Sequence, residues 1–167
     1  MPQKHKTTKL RFLCFRVLVA KKITMTNNDP VLIAPCGMDC RICSSFLTFD
    51  HNIPKVRHKI SHCTGCRPRG KQCAWLIKRC DKLLEKKLEY CFECEDFPCP
   101  NLSRLDKNYR KNYQMSMIEN LTQVRDQGFE RFFENQKAKY GCPTCESLTS
   151  VHSKKCFRCG EVHSWKD

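Results

Sequence analysis

Glycine is scarce in this chain, six residues in 167, and nowhere clustered into a loop that cradles a phosphate. That excludes the common nucleotide-binding loops, which need adjacent glycines to bring backbone N–H groups onto the phosphates. Internal repeats and low-complexity tracts are missing, which excludes solenoid arrays. No apolar run serves as a membrane span. The run from Leu10 to Ala20 is interrupted by Arg11 and Arg16, and is too short and too charged. No His-Glu-x-x-His or His-x-Glu…Cys-x-x-Cys arrangement occurs. Hydrolytic zinc sites of those kinds, which pair an open coordination position with a base, are therefore excluded. Acidic residues are few, 17 against 31 Lys and Arg, for a formal net charge of +14.

Cysteine is what the chain has instead. Fifteen are present, and most stand at metal-ligand spacing. Cys36-x3-Cys40-x2-Cys43 comes first, then Cys63-x2-Cys66, the isolated Cys73 and Cys80, and Cys91-x2-Cys94-x4-Cys99. Cys142-x2-Cys145 and Cys156-x2-Cys159 close the series. Each Cys-x-x-Cys pair aims two thiolates at one ion, as tetrahedral zinc requires. Tight pairing and an odd total point to reduced metal sites rather than a secreted disulfide framework.

Segment 1–24 holds seven basic residues and no acidic one, and reads as a disordered leader or a mis-assigned start, with Met25 the true beginning. Without it the net charge is +7. A zinc held by four thiolates is a −2 unit, so three such sites bring the loaded core to about +1. The basic composition is thus weak evidence for nucleic-acid binding. What survives is local: residues 55–87 carry eleven Lys or Arg against Asp81 and Glu85, followed by acidic Glu89, Glu93, Glu95 and Asp96. A salt-bridged surface is the expectation there, and a nucleic-acid face is the alternative.

Periodicity predicts a small, metal-stapled, mainly α fold with irregular cysteine-rich loops and a C-terminal zinc ribbon. Asp39 is placed to cap a short helix through Cys40, Cys43, Phe46 and Leu47. Residues 50–72 read as loop, and a helix is expected over about 72–88. An amphipathic stretch carries Leu102, Leu105, Tyr109, Tyr113, Met117, Leu121 and Val124 at spacings of three and four. Gly128 punctuates it, and Phe129, Phe132 and Phe133 continue a shorter helix to about Tyr140. This aromatic stripe reads as packing against the metal-bound half. Three units result: the leader 1–24, a cysteine-rich helical domain 25–140 and a ribbon 141–167.

The C-terminal knuckles suit a closed four-thiolate zinc site of Cys142, Cys145, Cys156 and Cys159. Gly160 follows the second knuckle, where a positive φ is useful, whereas Glu146 holds the equivalent place in the first. With four thiols present, His152 and His163 are left out of the ligand set. The N-terminal half offers ten thiols, enough for about two further zinc ions. If Cys73 and Cys80 both lie on the 72–88 helix, they stand about 10.5 Å apart. Sulfurs on one zinc are only about 3.8 Å apart, so these two would not share an ion. Sequence order suggests Cys36, Cys40, Cys43 and Cys99 for one site, and Cys63, Cys66, Cys91 and Cys94 for the other. Glu93, inside the Cys91–Cys94 knuckle, reads as a solvated surface residue.

The first triplet also matches the spacing of the iron–sulfur loop in radical S-adenosylmethionine enzymes, but Ile42 replaces their aromatic residue and no alternating strand–helix pattern follows. Cys99-Pro100 is similar to ferredoxin punctuation, so an iron–sulfur cluster is the alternative cofactor. Three motifs in order carry a family resemblance: Cys36-Gly37-Met38-Asp39-Cys40-Arg41-Ile42-Cys43, Cys63-Thr64-Gly65-Cys66-Arg67, and Cys91 through Phe97-Pro98-Cys99. Over about residues 31–140 the chain resembles the prokaryotic domain-of-unknown-function family 3795, small cysteine-rich proteins taken to bind zinc. The resemblance implies metal binding and a cytoplasmic setting, and brings no reaction with it. The expected role is a non-catalytic zinc module presenting a surface to a protein partner. A dithiol or iron–sulfur redox protein and a nucleic-acid-binding zinc protein are the alternatives.

Overall fold

The computed structural model describes residues 28–69 and 76–163. The leader 1–24 and Cys73 lie outside the described residues. About half of the described chain is helical. The α-helices are α1 (Ser44–Asp50), α2 (Asp81–Leu84), α3 (Pro100–Tyr113) and α4 (Met117–Tyr140). Short 3-10 turns stand at Pro30–Leu32, Cys40–Ile42, Ile77–Arg79 and Cys91–Glu93. Among the described residues, β structure is limited to isolated bridges, and no helix is long and apolar enough to cross a membrane.

Helix α3 begins with Pro100 in its first turn, where a missing N–H costs nothing. It ends at Gln114, whose backbone is left-handed (φ 51°). The amphipathic stretch read as running from Leu102 through Val124 is thus split into two helices. Ser116 caps α4 by accepting a bond from the Glu119 N–H at 3.0 Å, the first half of a capping box. Asp106 reaches over from α3 and joins the two. Its Oδ1 accepts from the Ser116 hydroxyl at 2.7 Å and the Ile118 N–H at 3.0 Å, and its Oδ2 accepts from Arg110 at 2.7 Å. Burial pushes this carboxyl up, but the Ile118 N–H, Arg110 and Ser116 outweigh it and hold it below the usual range. Gly128 breaks α4 with φ 78° and ψ 172°, as its place in the pattern predicts, and the helix resumes to Tyr140.

The helix expected over 72–88 does not form as one piece. Cys80 is extended (φ −130°, ψ 107°) and separates the Ile77–Arg79 turn from the single turn of α2. The apolar spacing reported burial rather than continuous helix, since Leu76 and Leu83 both reach the core. With Cys80 off a helix, the distance argument that separated it from Cys73 loses its premise.

Leu102, Met117, Leu121, Phe132 and Tyr140 pack with Ile33, Ala34, Ile42 and Val151 in the main core. The aromatic stripe is packing, as predicted. The loop from Cys36 to Cys43 contributes Cys36, Met38 and Ile42 to this core. Asp39 is fully buried, caps the Cys40–Ile42 turn through the Arg41 N–H, and pairs with the Arg41 guanidinium at 2.8 Å. That guanidinium lies 4.1 Å above the Phe133 ring of α4 and donates to Asn28. Gly37 sits on the first turn of α4, where Asn120 donates to its carbonyl at 2.8 Å.

A methyl group at Gly37 would fall 2.4 Å from the Met117 carbonyl oxygen and 2.8 Å from Leu121 Cγ, at a φ of +88°. The obstacle is helix backbone, which has nowhere to move. Gly37→Ala is expected to cost about 3 kcal/mol, combining left-handed strain and overpacking. Denaturant unfolding of the metal-loaded chain measures this, and an unchanged midpoint would contradict the packing described.

Candidate metal centres

The C-terminal cluster is built by two turns of the same design. In the first, the Glu146 N–H donates to the Cys142 carbonyl and the Cys142 N–H donates to Ser147 O, both at 2.8 Å. In the second, the Gly160 N–H donates to Cys156 O at 2.9 Å and the Cys156 N–H to Glu161 O at 2.8 Å. Both turns place their fourth residue after the leading cysteine at positive φ: Glu146 at 59° and Gly160 at 85°. Glu146 therefore adopts the glycine-type conformation at a cost of about 1 kcal/mol, because the knuckle demands it.

These turns bring four sulfurs together. Cys142 and Cys159 are 3.6 Å apart and Cys145 and Cys156 are 3.5 Å apart, with all four ligand atoms within 4.8 Å of one another. Tetrahedral zinc at about 2.3 Å from each sulfur sets a spacing of about 3.8 Å. The donor set therefore fits a four-thiolate ion. The crowded thiols perturb one another. The Ser147 N–H, with neighbouring thiols, pulls Cys145 down to about 6. At Cys159 the Glu161 N–H pulls down, but desolvation and the thiols of Cys156, Cys142 and Cys145 outweigh it and push the group up to about 12.

In the N-terminal half the thiols face two shared cavities. Cys36, Cys40, Cys43, Cys63 and Cys66 line one cleft of about 760 Å³, together with Tyr109, Arg104 and His152. Cys80, Cys91, Cys94 and Cys99 line a cavity of about 20 Å³, walled by Leu76, Leu83, Leu88, Phe97 and Leu102. That volume suits a single water-sized occupant. Sequence order paired these residues differently. Here Cys99 stands with Cys91 and Cys94 rather than with the first triplet, and Cys63 and Cys66 stand with the triplet. The chain path explains it. The Cys63 N–H donates to Ser45 O at 2.8 Å, drawing the second knuckle onto α1 beside Cys43. Cys80, which sequence left unpaired, completes the smaller set.

Sulfur in these sets already has the N–H donors that a thiolate ligand draws. The Cys66 N–H donates to Cys40 Sγ at 3.2 Å, Arg69 to Cys63 Sγ at 3.4 Å, and Lys82 to Cys94 Sγ at 3.3 Å. Burial first, then the neighbouring Cys36, Cys80, Cys99 and Cys94 sulfurs, push the Cys91 thiol well above its ordinary range. A cation among the sulfurs of Cys80, Cys91, Cys94 and Cys99 would offset part of that penalty. Among the described residues, only the C-terminal region holds groups of three or more ligand atoms within 4.8 Å of one another. The thirteen described cysteines form no disulfide among themselves.

Part of the basic stretch is paired, through Arg67, Lys82 and Lys87. Lys82 bridges Glu95 and Asp96, both at 3.2 Å, while Arg67 pairs with Glu89 at 3.3 Å and also reaches the Tyr90 hydroxyl. Glu93 is exposed and accepts from the Glu89 N–H at 2.8 Å, a turn contact. His152 is a packing residue: Ser44 N–H donates to its Nδ1 at 3.3 Å and its ring packs edge-on against Tyr109 and Tyr113. Burial lowers its pKa.

Fold and clusters together define a cysteine-rich protein with a candidate metal-binding site. Residues 32–104 match the model of the family described as "Protein of unknown function (DUF3795)". The match spans all ten cysteines from Cys36 to Cys99 and stops before the C-terminal cluster. No curated protein and no solved structure matches the chain.

The grouping has a direct test. Cys91 and Cys99 face one cavity, so the double variant Cys91→Ser/Cys99→Ser is expected to lose a single metal equivalent per chain by elemental analysis. Loss of two equivalents would mean that these cysteines serve different ions.

Proposed function

We propose that this chain is a zinc-binding protein whose metal sites are closed and structural, and that it acts as a non-catalytic interaction module. The observation that carries this reading is the C-terminal set, four thiols at coordination spacing on two congruent knuckles. Cys142, Cys145, Cys156 and Cys159 would hold one ion in a zinc ribbon over 141–167. Cys80, Cys91, Cys94 and Cys99 would hold a second. Cys40, Cys43, Cys63 and Cys66 would hold a third in the domain 25–140, with Cys36 beside them on the cleft. Cys73 is the remaining candidate thiol. Zinc supplies cross-linking in such sites, on the order of 10–16 kcal/mol of binding per ion in small modules. The proposed setting is the reducing cytoplasm, where paired thiols stay available to metal.

Closed sites leave no open position for a substrate, so function passes to the surface and a protein partner. The pairing of Lys82 and Arg67 with acidic neighbours supports a salt-bridged surface over a nucleic-acid face. One observation favours a second reading: five thiols, one more than a zinc needs, share the larger cleft. An iron–sulfur cluster or a cycling dithiol there would make the protein a redox carrier.

Metal analysis and visible absorbance of the chain purified without oxygen decide between them. Zinc at about three per chain, without colour, is the expected outcome. Iron with inorganic sulfide and a brown chromophore would replace the zinc reading with electron transfer.

A further inference from the structure

The C-terminal cluster has a neighbour. Cys142 Sγ, His163 Nε2 and a Glu161 carboxylate oxygen form another set of ligand atoms within 4.8 Å of one another. His163 Nε2 lies 3.2 Å from Cys142 Sγ and 3.6 Å from Glu161 Oε2. Backbone geometry produces this convergence. Lys155 and Val162 form an antiparallel bridge, with the Cys156 N–H donating to Glu161 O and the His163 N–H to Lys154 O, both at 2.8 Å. In an extended segment, residues two apart project to one face. Glu161 and His163 thus point together at the knuckle, while Val162 between them is turned outward, 70% exposed. The Thr144 hydroxyl, from inside the first knuckle, donates to Glu161 Oε2 and tethers the carboxylate across the cluster.

The chemistry of the three atoms points to a cation. A thiolate, a carboxylate and an imidazole nitrogen converge on one space. The Thr144 hydroxyl serves the carboxylate and His163 has one N–H to share between it and the thiol, whereas one metal ion would bind all three ligand atoms. Charge acts the same way: a four-thiolate zinc unit carries −2, and Glu161 adds another negative charge beside it. We propose that Cys142, Glu161 and His163 form a second, solvent-facing divalent metal site that shares the Cys142 thiolate with the four-cysteine site. Its mixed sulfur, nitrogen and oxygen donors suit zinc or another borderline divalent ion. With three protein ligands it keeps an open coordination position, unlike the closed site beside it. The inference rests on the ribbon reading above, in which Cys142 is a zinc ligand.

The test is a titration of Co2+ into the zinc-loaded full chain, following thiolate-to-cobalt absorbance, with zinc content measured before and after. Zinc content at the outset checks the ribbon reading by itself. With that zinc in place and retained, wild type is expected to bind one further equivalent of cobalt. Glu161→Gln and His163→Ala are each expected to lose that equivalent while keeping the zinc. Glu161→Gln leaves every thiol and His163 intact, so it decides the matter if His163→Ala disturbs the fold. Failure of wild type to take up the extra cobalt, or uptake by Glu161→Gln equal to wild type, would overturn the proposal and leave His163 as a hydrogen-bond donor to Cys142.

Discussion

Four thiols held 3.5 to 3.6 Å from their neighbours cannot all carry the charge that makes them good ligands unless a cation stands between them. The Ser147 N–H and the neighbouring thiols push Cys145 down, and against the Glu161 N–H burial and the neighbouring thiols push Cys159 up, so the four sulfurs perturb one another strongly. In the N-terminal half the buried Cys91 thiol is pushed upward by desolvation and by the sulfurs of Cys36, Cys80, Cys99 and Cys94. Sulfurs so placed are held by chain turns and by N–H donors such as Lys82 and the Cys66 amide. On the proposed reading, metal coordination is the interaction that would turn these thiols into stabilising cross-links.

The loop from Cys36 to Cys43 couples those cross-links to the helices. It fixes itself through the buried Asp39–Arg41 pair and meets α4 at both Gly37 and Phe133. It also accepts the Val151 N–H at the Ile42 carbonyl, 2.9 Å away. Val151 belongs to the ribbon segment and is fully buried in the main core. Ser44 and Ser150 add a hydroxyl contact at 2.5 Å beside it. The cysteine loop, the long helix and the C-terminal segment thus share one core.

Much of this was legible in the sequence for stated physical reasons. Cys-x-x-Cys spacing located the knuckles because the turn that aims two sulfurs at one ion is local. Gly128 marked a helix break because its backbone lies at positive φ, where other residues strain. The Gln114 turn was missed although Ser116 and Glu119 carried a capping signal, because apolar spacing of three and four continued across it. The same spacing overextended the 72–88 helix through Cys80, whose extended backbone puts it with Cys91, Cys94 and Cys99. The cavities that the N-terminal thiols face differ from the grouping that sequence order suggests, for a related reason. Which knuckles meet depends on tertiary paths such as the Cys63–Ser45 bond, and one sequence carries no trace of these. Glu161 and His163 were within reach, since their i, i+2 spacing beside Cys159 is local, but four thiols already filled the expected site.

The most direct test of the account is to remove metal from the intact chain with a chelator under reducing conditions and record its amide NMR spectrum. Dependence of the fold on coordination predicts that signal dispersion collapses across α3 and α4 as well as the knuckles, and returns when zinc is added. A spectrum that keeps its dispersion after complete metal removal would contradict the account, and would show that the helices and the buried Asp39–Arg41 loop hold the structure by themselves.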